Sequence, residues 1–211
     1  MTNRLLMLVF ASLVVGTAAC QTASTTLKST VDKARTKAVK ETMKVDVAKS
    51  KIEWIGSKPS GKHMGDLKLK SGTIKIKNGT ITGGTFVIDM NSINTTDLEG
   101  KYKKMLDNYL KNADFFNVEK FSESTFTIKK VSPSSKKGET HTIAGVLKLL
   151  GIEQELNFGA EVRLDASSLS AVTPEFGLDR TNWGILTKSS KSKKGGIDDI
   201  FKLKISLEAS L

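Results

Sequence analysis

From Val45 onward, apolar and polar residues alternate along most of the chain, in short stretches separated by turn-forming residues. A period of two places one set of side chains on each face of an extended strand. The pattern predicts strands over 51–57, 64–77, 80–91, 124–131, 140–149, 152–165, 169–179 and 199–209. The links are mostly short, and no strand–helix–strand rhythm recurs, so the expected class is all-β and antiparallel. Asn78-Gly79 between the second and third strands predicts a type I′ hairpin turn. Within the second strand the apolar parity moves from Leu67/Leu69 to Ile74/Ile76 across Ser71-Gly72, which predicts a bulge there.

The faces separate cleanly. In the sixth strand Ile152, Leu156, Phe158, Ala160, Val162 and Leu164 alternate with Glu153, Glu155, Asn157, Glu161, Arg163 and Asp165. In the eighth, Phe201, Leu203, Ile205 and Leu207 alternate with Lys202, Lys204, Ser206 and Glu208. Phe86/Ile88/Met90 and Ile143/Leu147/Leu149 form further apolar rows. Strands that are polar outside and apolar inside build a water-soluble barrel. Eight strands is the size at which side chains either fill the interior or leave a slot for one ligand. Gly56, Gly145 and Ala160 fall on inward rows, where their small size leaves room for a lumen. Alternation alone leaves the hollow and the packed interior both open.

One insertion breaks the series. Between Asn91 and Ser124, Leu98, Tyr102, Met105, Leu106, Tyr109 and Leu110 share one helical face, and Thr96-Asp97-Leu98-Glu99 has the form of a capping box. An amphipathic helix is therefore expected in the crossover between the third and fourth strands. It would plug a barrel end or lie across the outside, with its Tyr and Met residues in the core.

The first 44 residues have a different texture. Met1–Arg4 carries positive charge, and an apolar run from Leu5 to Val15 follows, too short for a permanent span. This is the form of a secretory leader. It ends in Gly16-Thr17-Ala18-Ala19 before Cys20, the one cysteine of the chain, and resembles a lipoprotein lipobox. The expected organisation is a lipoprotein signal peptide over 1–19, a lipidated Cys20 with a basic tether over 20–44, and a barrel domain over 45–211. Leu27, Val31, Ala34, Ala38 and Met43 give the tether a thin helical stripe. Two or more acyl chains on Cys20 would hold the protein stably at a membrane, and Gln21 after the cysteine points by enterobacterial sorting rules to the outer membrane, so a periplasm-facing location is expected.

Composition restricts the chemistry. The 211 residues carry 33 Lys+Arg against 22 Asp+Glu, a formal charge of +11 that suits nucleic acid, an anionic membrane or an acidic ligand alike. Nucleic acid is excluded by the leader and by the lack of aromatic residues interleaved with the basic ones. Lys188, Lys191, Lys193 and Lys194 crowd one loop and Lys136-Lys137 another, patterns that ordinarily solvate hairpins. His63 and His141 are the only histidines and have no ligand-type spacing, so no metal is expected. No nucleophile elbow, phosphate-binding loop or dinucleotide fingerprint is present, and Asp198-Asp199 reads as solvation of a strand edge, so no catalytic residue is nominated.

Several ordered blocks resemble the YceI-like family of exported polyisoprenoid-binding proteins. They are Val45-Asp46 with Ser50-Lys51-Ile52-Glu53-Trp54; His63-Met64-Gly65 with Ser71-Gly72; Ser92-Ile93-Asn94-Thr95; the run from Leu110 to Phe121; Ser124-Thr125-Phe126; Ala144-Gly145-Val146-Leu147 with Gly151; and Asp179-Arg180-Thr181-Asn182-Trp183-Gly184-Ile185. The resemblance implies a lipocalin-like barrel of eight antiparallel strands with an apolar tunnel. It implies no cofactor; the ligand would be an isoprenoid or fatty-acyl lipid, and a homodimer is a common form. By matched blocks and alternation, the tunnel wall would include Trp54, Phe86, Ile88, Phe126, Leu147, Phe158, Phe176 and Phe201. Arg180 would meet a head group or pair structurally with an acid. The expected function is non-catalytic lipid binding at the cell envelope. A packed barrel acting through its surface and an enzyme modifying the lipid remain as alternatives.

Overall fold

A computed structural model describes residues 40–191 and 195–211. The leader, Cys20 and most of the expected tether lie outside these residues, as do Lys193 and Lys194. Among the described residues the strands are β1 (Lys40–Val45), β2 (Lys51–Lys58), β3 (Gly61–Lys77), β4 (Thr80–Thr95), β5 (Glu123–Pro133), β6 (His141–Leu149), β7 (Ile152–Leu164), β8 (Ser168–Val172), β9 (Phe176–Asp179) and β10 (Ile200–Ser210). One α-helix, α1 (Gly100–Lys111), and a 3-10 turn over Arg180–Trp183 complete the set.

Every strand pairing is antiparallel, and the sheet closes on itself through β10. Two of the barrel's staves are broken. β1 and β2 run in series along β3, with Lys40 opposite Lys77 and Lys58 opposite Gly61. β8 and β9 run in series along β10, with Ser168 opposite Ser210 and Asp179 opposite Ile200. Counted as positions around the ring, the strands make the expected eight. The helix occupies the expected crossover, which is the link between β4 and β5 because β1 precedes the strands read from the pattern. Met43, assigned in sequence to a thin helical stripe, is instead a strand residue with no exposed surface. Three charged residues, Lys40, Glu41 and Lys44, hid the alternation of Lys40–Val45, in which only Met43 and Val45 are buried.

Local signals hold at the turns. Asn78 and Gly79 both have positive φ, 52° and 70°, as a type I′ turn requires. The second such turn, at Leu150 and Gly151, uses a leucine at φ 54°, and its link is fixed by hairpin geometry rather than by residue preference. The register of β3 against β4 shifts between Leu69 and Ser71, which is the bulge expected from the change of parity. The capping box is not formed. Helix α1 starts at Gly100 after an N-cap Glu99 that makes no side-chain cap bond. Asp97 turns away to accept from the Met64 backbone N–H at 3.0 Å and pairs with His63 Nδ1 at 2.9 Å, tying the start of the crossover to β3.

Chain direction defines two ends. The β2/β3 hairpin, the α1 crossover, the Leu150-Gly151 turn and residues 184–191 and 195–199 gather at one end. The β3/β4 and β7/β8 turns and the loop over 134–140 lie at the other. At this second end Ile74, Ile81, Val162, Leu169 and Leu207 are each no more than 9% exposed, so the barrel is sealed there. Met43 of β1, with Val45 and Ile76, completes the seal. Replacing Met43 by Ala leaves a buried void in a place that cannot collapse easily. The substitution is expected to lower unfolding free energy by about 2–5 kcal/mol in urea denaturation, whereas a tether residue would give no change.

Candidate ligand cavity

The interior is hollow. A cavity of about 1230 Å³ runs between the sealed end and α1, larger than the roughly 300–1,000 Å³ of ordinary small-molecule pockets. Trp54, Phe86, Ile88, Phe126, Leu147, Phe158, Phe176 and Phe201 all lie on its wall. They are joined there by residues that alternation had already oriented inward, among them Leu67, Leu69, Ile74, Leu156, Val162, Leu203 and Ile205.

Glycines opposite the aromatic residues keep the lumen open. A Cβ on Gly145 would lie 2.5 Å from the Phe126 ring and 2.5 Å from the Thr127 carbonyl oxygen. One on Gly65 would lie 2.4 Å from the Trp54 ring and 2.1 Å from the Asn94 carbonyl oxygen. A Cβ on Gly72 would meet the Val45 side chain at 2.6 Å and the Phe86 ring at 3.0 Å. Each ring therefore lies down against the neighbouring backbone instead of projecting into the centre. Over Gly145, Phe126 reaches past β6 to Phe158 on β7, with centroids 5.5 Å apart, and Phe158 stacks on Phe176 at 4.7 Å. Phe86 closes the row at 6.4 Å from Phe126. The result is an aromatic lining with space inside it. Gly145→Ala is expected to destabilise the fold by about 1–3 kcal/mol or more, because the clash is with a backbone oxygen as well as a ring, and urea denaturation measures it.

Helix α1 borders the open end. Leu98, Tyr102, Met105, Leu106, Tyr109 and Leu110 all contribute to the lining, so the helix lies over the barrel end rather than along its outside. Tyr102 and Met105 remain 62% and 64% exposed, which marks the opening beside them. They are rim residues, not core as the helical face suggested. Polar clamps hold the helix. Asp107 accepts from the Thr95 backbone N–H at 2.8 Å, and Lys103 Nζ bridges Asp107 at 2.6 Å and Asn94 at 2.7 Å. Burial, the largest single influence on the Asp107 carboxyl, pushes its pKa up. The Lys103 and Thr95 bonds together outweigh it and hold the pKa below the ordinary value. Asp97 is lowered in the same sense, burial again opposing the Met64 and His63 bonds. A depressed pKa makes each carboxylate stabilising above its unfolded pKa, and that stabilisation disappears as pH falls through the folded value. Hydrogen exchange of the α1 amides should thus be unaffected by these groups above about pH 5 and lose protection below about pH 3.9, with a smaller loss in Asp107→Asn.

The Arg180 block builds the other side of the opening. Asp179 accepts from Thr181 N–H at 3.0 Å and Thr181 Oγ1 at 2.6 Å, and Gly184 ends the 3-10 turn at φ 77°. The Thr181 hydroxyl is the chief cause of the lowered Asp179 pKa. Trp183 Nε1 donates to the Leu147 carbonyl at 3.1 Å, fixing the turn on β6. Arg180 is 1% exposed. Its guanidinium donates to the carbonyls of Ile185 at 2.7 Å, Ile197 at 3.2 Å and Asp198 at 3.2 Å, and to Asp199 Oδ1 at 3.4 Å. Burial lowers its pKa from the ordinary value, with Asp199 opposing. The group thus ties Ile185 to residues 197–199 and sits over the Phe115 ring at 5.4 Å. Asp199, expected at a solvated strand edge, is 4% exposed and balances this charge.

The remaining candidates stay apart. His63 lies at the open end and His141 at the start of β6 near the sealed end, where its Nδ1 meets Thr140 Oγ1 at 2.9 Å. Among the described residues, no three His, Cys, Asp or Glu side chains converge as a metal site. Lys191 pairs with Asp179 at 3.2 Å and Asp199 at 3.8 Å, while Lys188 lies against the Tyr109 ring, 4.9 Å from its centroid. Sequence reading treated Lys188 as loop solvation and Tyr109 as core. Nothing in a Ser/Gly-rich loop shows that it will fold back over a helix more than seventy residues upstream.

An antiparallel barrel with charged residues outside, an apolar lumen within and one end sealed defines a lipocalin-like barrel. The chain belongs to the YceI-like domain family, whose model matches residues 43–209. Among solved structures it is similar to BcnA of Burkholderia cenocepacia, at TM-score 0.65 and 18% identity over 79% of this chain and 99% of that one. A polyisoprenoid binding domain from Saccharophagus degradans, implicated in plant cell wall breakdown, matches at TM-score 0.56 and 14% identity over 80% and 97%. At these identities the likeness is one of fold. Comparison with curated protein sequences gives no match.

Proposed function

We propose that the protein is a non-catalytic lipid-binding protein of the bacterial envelope, which holds one long apolar chain, an isoprenoid or a similar amphiphile, inside the barrel. The observation that carries this reading is the apolar cavity of about 1230 Å³ with one sealed end. A buried chain contributes roughly 0.8 kcal/mol per methylene unit, so ten units supply about 8 kcal/mol before the costs of ordering are subtracted. No directional polar contact is needed along the chain, and selectivity for its exact length is expected to be loose. Export by the leader and anchoring through a lipidated Cys20, facing the periplasm at the outer membrane, belong to the same proposal. The family membership and the polyisoprenoid-binding relative support the choice of ligand class.

Gly56 offers a direct test. It faces the lumen beyond Trp54, and a Cβ placed there meets nothing within 4 Å. Gly56→Trp therefore fills the lumen without backbone strain. It is expected to weaken uptake of an apolar fluorescent probe by roughly tenfold or more while leaving the urea midpoint unchanged. Native mass spectrometry of the protein purified from bacterial membranes should show a bound long-chain lipid. A protein that carries no lipid and takes up no probe would rule the proposal out.

A further inference from the structure

The polar groups of the cavity are unevenly placed. Towards the sealed end the lining is Ile74, Ile81, Val162, Leu169 and Leu207. Two hydroxyls on the wall are already occupied: Ser124 Oγ donates to the Lys148 carbonyl at 2.9 Å, and Thr173 Oγ1 accepts from the Ile205 N–H at 2.9 Å. Beneath α1 the situation differs. Tyr109 lines the cavity, and its hydroxyl is buried without a hydrogen-bond partner. A buried hydroxyl left unpaired is costly, and it becomes favourable when a ligand atom supplies the partner.

A cation stands over the same tyrosine. Lys188 also lines the cavity, its Nζ 4.9 Å from the Tyr109 centroid, with no carboxylate of the described residues within ion-pair distance. Its backbone is held at φ 49°, an uncommon conformation for lysine. Ile197 N–H fixes it there by donating to the Lys188 carbonyl at 2.7 Å. The loop thus places this ammonium at the opening. Gly195 and Gly196 border the cavity close by, and a Cβ on Gly195 meets nothing within 4 Å, so there is room for a group larger than a methyl.

The other charges at this end are partly matched. Arg180 is engaged with Asp199 and three carbonyls, and His63 with Asp97. Lys58 and Asp198 both border the opening, and neither makes an ion pair among the described residues. Of Lys58 and Lys188, both without an ion pair among the described residues, Lys188 is the one that stands over the tyrosine with the vacant hydroxyl.

We propose that the open end of the cavity is a head-group site for an anion, in which Lys188 Nζ and the Tyr109 hydroxyl hold the phosphate or carboxylate of a single-chain amphiphile whose tail points to the sealed end. The inference rests on the lipid-binding reading and adds to it an orientation and a charge class. Lys188 supplies the charge, and Tyr109 donates one hydrogen bond. Arg180 positions the loop that carries Lys188 and does not itself meet the ligand.

The test is displacement of a bound apolar fluorescent probe from the purified full chain by two pairs of ligands. Farnesyl phosphate is compared with farnesol, and palmitate with hexadecanol, so that phosphate and carboxylate are told apart. In at least one pair the anion is expected to bind about tenfold more tightly at neutral pH and low salt, a charge-assisted bond's worth of discrimination. Lys188→Met should reduce that preference to under threefold without changing the affinity of the neutral partner, and Tyr109→Phe should reduce it in part. Equal affinity within both pairs, or an undiminished preference in Lys188→Met, overturns the head-group site while the neutral ligands still report a working cavity. Failure of all four to displace the probe likewise overturns the head-group site, whereas a protein that takes up no probe and carries no lipid removes the lipid-binding reading beneath it.

Discussion

Barrel closure is the constraint on which the rest of this structure depends. A hollow interior has no central side-chain packing, so the shape of the lumen must be kept by the wall. β10 makes that wall continuous by pairing with β2 and β1 on one side and with β8 and β9 on the other. Pairing on both sides of β10 closes the ring and removes the open sheet edge that an unclosed arrangement would present there. Closure also fixes which residues face inward, since one register governs the whole ring. The strong parity of β10, with Phe201, Leu203, Ile205 and Leu207 towards the lumen, follows from its position between two broken staves.

The breaks themselves are useful. Because β1 and β2 share one position, the chain can seal the far end with Met43 and Val45 and then turn through a loop, in which Ser50 Oγ donates to the Asp46 carbonyl at 2.7 Å, before continuing along β3. The interruption between β8 and β9 sends Phe176 into the aromatic row and brings Asp179 to the open end. There, the 3-10 turn and Arg180 convert strand ends into a rim. The two ends of the barrel therefore differ in kind: one is closed by aliphatic packing and the other is framed by clamped polar structure.

Glycine and aromatic residues set the hollow by acting together. If Phe126 stood upright from its strand, the lumen would be narrower and the position of Gly145 would need a side chain to fill the space beside it. With Gly145 bare, the ring lies across β6 and its edge meets Phe158. The same relation between Trp54 and Gly65 keeps the wall flat near the opening. Volume for a ligand is thus created by omitting Cβ atoms at particular positions, while the aromatic surface still presents apolar contact to whatever occupies the lumen.

Period-two alternation with turn residues was enough, in sequence, to orient the strands, because each side chain's face is set by its immediate neighbours in an extended backbone. The inward rows, the Asn78-Gly79 turn and the bulge near Ser71 are all local in this sense. The capping box was also a local signal, and it failed because Asp97 found better partners, Met64 N–H and His63, on a strand thirty residues away. β1 was hidden for a related reason: six residues with only two buried carry too short a pattern, and the strand is held by β3 and β10. The sequence by itself determined the all-β class, the faces of the strands and the chain position of the helix. Tertiary structure alone decided that the interior is hollow, that one end is sealed, and that Lys188 stands over Tyr109. Those outcomes depend on distances between residues far apart in the chain, and such distances exist only once the ring has closed.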